Sequence, residues 1–80
     1  MKLPRDLTGA ELIQRLERLG YQVTRQTGSH IRLTCGTPQV HHITVPKHDP
    51  LKVGTLAAIL AEVATHHRLP RDELLQRLFL

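Results

Sequence analysis

The sequence has 80 residues, which is enough for one small domain over residues 1–80 and too short for an enzyme with a separate cofactor domain. Eleven Lys and Arg against seven Asp and Glu give a net charge of +4, and this surplus favours a polyanionic partner such as a nucleic acid. The longest apolar run, residues 56–61, is far shorter than the ~20 residues of a membrane helix. We therefore expect a soluble, cytoplasmic protein with no membrane association.

The first predicted element is an amphipathic helix that begins near Thr8. Thr8 and Glu11 have the spacing of a capping box, in which each side chain accepts a hydrogen bond from the other residue's backbone amide. Gly20 is placed to end the helix. Between these signals the apolar residues recur at helical spacing, as Leu12, Ile13, Leu16 and Leu19.

Three strands are predicted next, because the apolar residues then recur at every second position. The first runs from Tyr21 to Gln26, with Tyr21, Val23 and Arg25 on alternate positions, and Gly28-Ser29 ends it. The second covers residues 30–35 and the third residues 40–45. Paired residues on neighbouring strands share a face, so the polar positions of the last two strands should form one surface, namely His30, Arg32, His42 and Thr44.

Two further helices complete the predicted fold. Pro46 and Pro50 indicate a loop, and the second helix begins after Lys52 with an apolar stripe. Pro70, at the first helical position, opens a short last helix. We expect an α+β fold of order α-β-β-β-α with a short extra C-terminal helix. Both long helices cover one face of a three-stranded antiparallel sheet, because each has a single apolar stripe to bury, and the other face stays open.

The open face offers candidates for contacts with a nucleic acid. It lacks aromatic residues, so it cannot stack bases and must use phosphate and ribose contacts. Arg25, Arg32, Lys47 and Lys52 are the basic candidates near this face or near the amide-rich start of the second helix. Each is equally consistent with an ordinary solubilising charge, and only the cluster is informative.

His30 is the sharpest single candidate, because it follows the Gly28-Ser29 corner and points to the open face. An imidazole with a pKa near ~6.5 can take or give a proton at neutral pH. His48 is a candidate partner of His30 or a phosphate ligand. The plain alternatives are a surface histidine at position 30 and a loop histidine at position 48.

The remaining polar clusters do not predict a metal or cofactor. His41-His42 and His66-His67 are adjacent pairs whose side chains diverge on a strand and on a helix, so neither pair chelates by itself. A two-metal nuclease needs several converging carboxylates, and Asp49 is the only acidic residue of the loop region. The single cysteine, Cys35, is expected to be a small core residue.

Four motifs in order resemble the HicA (YcfA-like) toxin family. They are residues 18–21 (Arg-Leu-Gly-Tyr), 28–30 (Gly-Ser-His), 44–48 (Thr-Val-Pro-x-His) and 51–60 (Leu-Lys-x-Gly-Thr-Leu-x-x-Ile-Leu). The similarity covers about residues 3–64. Residues 62–71 differ from the family pattern, because the link before the last helix is longer than usual.

The resemblance implies a toxin of a type II toxin-antitoxin system with a fold like that of double-stranded-RNA-binding domains. It implies a metal-independent endoribonuclease that cleaves mRNA, needs no cofactor and is neutralised by a HicB-like antitoxin. The histidine of the Gly-Ser-His motif, here His30, would be catalytic, and the free toxin is expected to be a monomer. The expected RNA-binding residues are Gly28, Ser29, Arg25, Arg32, Lys47, His48, Lys52 and Thr55.

Two other classes of function remain open at this point. The same order of helices and strands can hold duplex RNA by shape and phosphate contacts without cutting it. A toxin remnant that serves only as an antitoxin-binding scaffold is the third class. The presence of His30 on a small polar face favours the enzyme over both.

Overall fold

The computed structural model describes residues 2–80 and confirms the predicted α+β order. The elements in chain order are α1 (Gly9–Leu16) with a 3-10 turn (Glu17–Leu19), β1 (Gln22–Thr27), β2 (His30–Cys35), β3 (His41–Pro46), α2 (Val53–His67) and α3 (Arg71–Phe79). No helix within residues 2–80 is long and apolar enough to cross a membrane.

The predicted capping signals of α1 are present. The Thr8 hydroxyl accepts a hydrogen bond from the Glu11 amide, the Glu11 carboxylate accepts one from the Thr8 amide, and both distances are 3.0 Å. Gly20 ends the helical segment with a φ of 91°, a conformation that glycine adopts without steric cost.

The sheet is antiparallel with the strand order β1-β2-β3. In the β2–β3 register, His30 lies opposite Pro46, Arg32 opposite Thr44, and Thr34 opposite His42. His30, Arg32, His42 and Thr44 are all exposed, whereas Ile31, Leu33, Cys35, Ile43 and Val45 at the alternate positions are buried. The predicted polar surface is therefore confirmed, and we call it the open face.

The predicted alternation along the first strand holds as far as Val23 and is wrong at Arg25. β1 begins at Gln22, and a β-bulge interrupts its pairing between Val23 and Arg25. Val23 lies opposite Leu33, whereas Arg25 lies opposite Arg32. The extra residue at the bulge moves Arg25 onto the open face, because paired residues share a face.

Two proline positions also differ from the prediction. Pro46 is the last residue of β3 rather than part of the loop, and it is tolerated there because β3 is an edge strand. Pro70 is the N-cap of α3, one residue before the predicted position, with Asp72 and Glu73 in the first turn.

The hydrophobic core lies between the closed face of the sheet and the three helices. All three helices contribute buried leucines, and α3 contributes as fully as the others, since Leu74, Leu75 and Leu78 are at most 1% exposed. Cys35 is 1% exposed, which confirms its assignment to the core. The open face therefore carries no helix and remains available to a partner.

Candidate active site

His30 is held at a sharp corner of the sheet. Thr27 and His30 are paired, so Gly28 and Ser29 form a two-residue hairpin turn between β1 and β2. Gly28 has a φ of 59° and Ser29 has no positive φ, which is the pattern of a type II′ turn with glycine at its first central position. The His30 side chain is exposed, and it has no hydrogen-bond or ion-pair partner within residues 2–80.

Lys47 is fixed beside this corner through the backbone. Its amide donates a hydrogen bond of 2.6 Å to the carbonyl oxygen of Ser29, directly beyond the His30–Pro46 pair. The sheet thus continues by one contact past the end of β3. Two of the predicted site segments, Gly28–His30 and Lys47, are brought together by this contact.

Arg25 of β1 and Arg32 of β2 lie directly opposite each other on the open face, and Arg32 is two residues from His30 along β2. Like charges in this arrangement destabilise a sheet unless an anion lies between them. Within the described chain, neither arginine has an ion pair, and the same holds for Lys47 and Lys52. The three strands contain no Asp or Glu, so no carboxylate of the sheet opposes these charges.

The other predicted site residues lie on the segment that follows β3. The His48 ring is exposed, and its carbonyl oxygen accepts a hydrogen bond of 2.9 Å from the Gly9 amide. Lys52 is exposed and forms the N-cap of α2, and Thr55 is half-buried in the first turn of that helix. Within residues 2–80, no hydrogen bond or ion pair joins these three side chains to His30.

A second polar cluster lies at the other end of the sheet and is absent from the sequence predictions. One histidine of β3 and one of α2 flank the Tyr21 hydroxyl, which is 2.7 Å from His41 Nδ1 and 3.1 Å from His67 Nε2. The His41 and His66 rings stack at 4.2 Å. We call Tyr21, His41, His66 and His67 the histidine cluster.

The hydrogen bonds of the histidine cluster indicate its tautomers. His41 Nε2 lies 3.5 Å from a carboxylate oxygen of Glu62, which favours a proton on that nitrogen. His41 Nδ1 is then an acceptor, so Tyr21 donates to it, and His67 Nε2 donates to the Tyr21 oxygen. His66 Nε2 is buried without a hydrogen-bond partner among the described residues.

Burial sets the proton affinities in the histidine cluster. It lowers the pKa of His41 and of His67, and the neighbouring His66 lowers both further. Burial also raises the pKa of the Tyr21 hydroxyl. The uncharged form of each group is therefore favoured in the folded protein.

The histidine cluster does not have the geometry of a metal centre. No group of three His, Cys, Asp or Glu in residues 2–80 is arranged to hold a metal ion. The His41 and His66 rings are within 11° of parallel, and imidazole lone pairs lie in the ring plane. They therefore do not converge on one point between the rings.

A family model described as HicA toxin of bacterial toxin-antitoxin matches residues 9–65. The chain belongs to the HicA toxin family. No curated protein and no solved structure gives a significant match. The matched range contains α1, the whole sheet and most of α2, and hence His30, Lys47 and Lys52, whereas α3 lies beyond it. The protein is thus the toxin of a toxin-antitoxin pair, and this class implies an antitoxin partner.

Proposed function

We propose that this HicA-family toxin is a metal-independent endoribonuclease that cleaves mRNA and thereby inhibits translation. The observation that carries the proposal is the position of His30. Its exposed ring lies at the edge of a face that has two opposed arginines and no carboxylate on its strands. That surface suits a polyanion and supplies one imidazole that can take or give a proton.

The chemistry follows from what RNA carries. The ribose 2′-oxygen attacks the adjacent phosphorus, its proton passes to a base, and the bond from phosphorus to the 5′-oxygen breaks as that oxygen takes a proton from an acid. The products are a 2′,3′-cyclic phosphate and a 5′-hydroxyl. His30 serves as the base or the acid, and the second proton transfer involves His48, water or a substrate group.

The basic residues have two roles in this proposal. Arg25 and Arg32 hold phosphates of the bound strand on the open face, where the anion relieves the repulsion between the two guanidinium groups. Lys47 lies beside the corner and offsets the charge that develops on the phosphorus centre during attack. Gly28 and Ser29 contribute backbone groups at the turn. Lys52 and Thr55 contact the bound RNA strand further along its length.

The test is the incubation of the purified toxin with RNA, with and without EDTA. We expect cleavage that survives chelation and is lost in His30→Ala, with 2′,3′-cyclic phosphate ends on the products. His42→Ala is the matched control, since His42 is an exposed histidine of the same face, far along the strand pair from His30. It should keep the wild-type rate. Full cleavage by a folded His30→Ala protein would rule out the catalytic role.

A substrate that has one 2′-deoxyribose at the cleavage position tests the internal nucleophile. We expect no cut at that bond, because the attacking oxygen is missing, while cleavage elsewhere continues. Retention of RNA without any cleavage would instead select the alternative function, a binding module for double-stranded RNA.

We further propose that the antitoxin partner is a HicB-like protein that covers the open face. An acidic surface placed there would gain association rate and specificity from the basic residues around His30. We expect the complex to protect His30 from carbethoxylation by diethyl pyrocarbonate, compared with the free toxin. Equal modification of His30 in both states would exclude occlusion of the site.

A further inference from the structure

The start of α1 and the segment after β3 are in very close contact at Gly9. A Cβ atom at position 9 would overlap the carbonyl oxygen of Pro46 and lie 3.0 Å from the Lys47 Cα. Both neighbours are backbone atoms, which cannot rotate away as a flexible side chain can. Gly9 is buried, so any relief must come from moving one of the two segments.

Backbone hydrogen bonds join the same segments at Gly9 and two residues before it. The Gly9 amide donates to His48 at 2.9 Å, and the Leu51 amide donates to Leu7 at 2.8 Å. On its other side, the loop is attached to the His30 corner by the hydrogen bond from Lys47 to Ser29. A continuous series of backbone contacts therefore runs from the start of α1, through Lys47, to the residue that precedes His30.

The requirement for glycine at position 9 arises from this contact and not from backbone conformation. The positive-φ glycines are Gly20 and Gly28, and Gly9 is not among them. A Cβ atom added at Gly36 or Gly54 would meet no atom within 4 Å. Alanine is the better helix former, so glycine at the first position of α1 forgoes helix propensity in favour of the close approach.

We propose that Gly9 is a positioning residue of the active site. By allowing α1 to pack directly on Pro46 and Lys47, it holds Lys47 and His48 at a fixed distance from His30. This inference rests on the proposed ribonuclease function. A side chain at position 9 would displace the segment by an amount comparable to the ~1 Å that can cost about 100-fold in rate at a catalytic site.

The test compares Gly9→Ala with two control variants. Gly36→Ala makes the same chemical change at an open position of the β2–β3 hairpin, and Val63→Ala weakens the core at a residue with no exposed surface. At a temperature where all are folded by circular dichroism, we expect Gly9→Ala to cleave RNA about 10- to 100-fold more slowly through kcat. Both controls should keep the wild-type kcat.

Amide signals in ¹H–¹⁵N spectra give a readout that does not depend on activity. We expect Gly9→Ala to shift the signals of Ser29, His30 and Lys47, and Gly36→Ala to leave them unchanged. A wild-type kcat in folded Gly9→Ala, an equal loss of kcat in Val63→Ala, or unshifted Ser29 and His30 signals would each overturn the inference.

The two proposals fail in different ways. If the wild-type toxin cleaves no RNA, the proposed function fails. The spectra then still decide whether Gly9 is coupled to the His30 corner, because shifted Ser29 and His30 signals support the coupling and unshifted signals exclude it.

Discussion

At the scale of single residues, the most informative pair is Arg25 and Arg32. They face each other because the bulge in β1 takes up Thr24, whose hydroxyl lies 2.8 Å from that of Thr34. Two cations in opposed positions cost stability in the free protein, and a bound phosphate removes that cost. In the proposed function, the pair would exchange a little folding stability for affinity toward an anion.

Arg32→Gln tests this exchange. We expect it to raise the free energy of unfolding in urea by about 0.2–1 kcal/mol at low salt, because the opposed charge is gone. The same variant should bind a non-cleavable 2′-deoxy strand more weakly, with the slope of log affinity against log salt reduced by about one.

Arg5→Gln is the control for this prediction, since Arg5 is exposed and lies outside the sheet. Arg5→Gln should change neither the free energy of unfolding nor the salt slope of binding by a comparable amount. A loss of stability in Arg32→Gln, or an unchanged salt slope, would contradict the role of the pair.

The bulge in β1 could not be predicted from the sequence, whereas the faces of β2 and β3 could. Alternation along β2 and β3 correctly placed His30, Arg32, His42 and Thr44 on one face, because buried Ile31, Leu33, Ile43 and Val45 fix the phase of both strands. β1 has no such anchor, since every residue of it is exposed. An inserted residue in an exposed edge strand leaves no hydrophobic signal.

At the scale of elements, the histidine cluster joins parts of the chain that are far apart in sequence. Tyr21 precedes β1, His41 begins β3, and His66 and His67 end α2. The sequence predicted that each adjacent histidine pair diverges, and in the pair of β3 His41 is half-buried whereas His42 is exposed. The sequence did not predict that members of the two pairs meet, although it contained a signal. His41 has the strand phase of the buried Ile43. His66 and His67 follow the buried Val63 by three and four residues, which places them on the same side of the helix.

Tyr21→Phe tests the contribution of the cluster. The change leaves the ring in the core but removes the hydroxyl that bonds both His41 and His67. We expect the free energy of unfolding to fall by about 1–3 kcal/mol at pH 8, because two partly buried ring nitrogens lose their partner.

Thr44→Val is the control for the loss of a hydroxyl, at an exposed position of the sheet. Its effect should lie within about 0.5 kcal/mol. If Tyr21→Phe were equally mild, the hydrogen bonds of the cluster would not stabilise the fold.

The role of α3 also depends on information that the sequence does not contain. The leucine spacing predicted the helix correctly but not its depth, since a stripe of apolar residues does not reveal what it packs against. In the structure α3 packs against α1 and α2, and its three leucines are buried as completely as those of α1 and α2. Beyond the family match of residues 9–65, the fold therefore includes a further helix that completes the core.

At the scale of the whole molecule, the buried core among the described residues contains no Lys, Arg, Asp, Glu or His. Acid therefore acts on the fold first through the partly buried histidine cluster. His41 and His67 have a lowered pKa in the folded state, whereas an unfolded chain has histidines near ~6.5. Between these two values the unfolded state binds more protons, so stability falls as the pH falls.

We expect the free energy of unfolding to be constant between about pH 7.5 and pH 9 and to decrease below about pH 6.5, with a limiting slope of about 1.4 kcal/mol per pH unit for each histidine. The groups that act on the two rings are His66 and Glu62 of α2, His42 of β3 and Arg77 of α3, and His41 also acts on His67; of these only Glu62 favours protonation. Carboxylates affect stability in a lower pH range than the histidines. The pKa of Glu11 is lowered by its hydrogen bonds to Thr8, so its contribution to folding stability is lost only below about pH 4.5.

Urea unfolding between pH 5 and pH 8 measures this slope, and replacing both His41 and His67 by glutamine should flatten it, because glutamine keeps a polar side chain but binds no proton in this range. Replacing His48 by glutamine is the control and should leave the slope nearly intact, since that exposed residue lies outside the histidine cluster and is not among the groups that act on His41 or His67. A slope that persists in the double variant would place the acid sensitivity in other groups and would show that the histidine cluster does not link stability to pH.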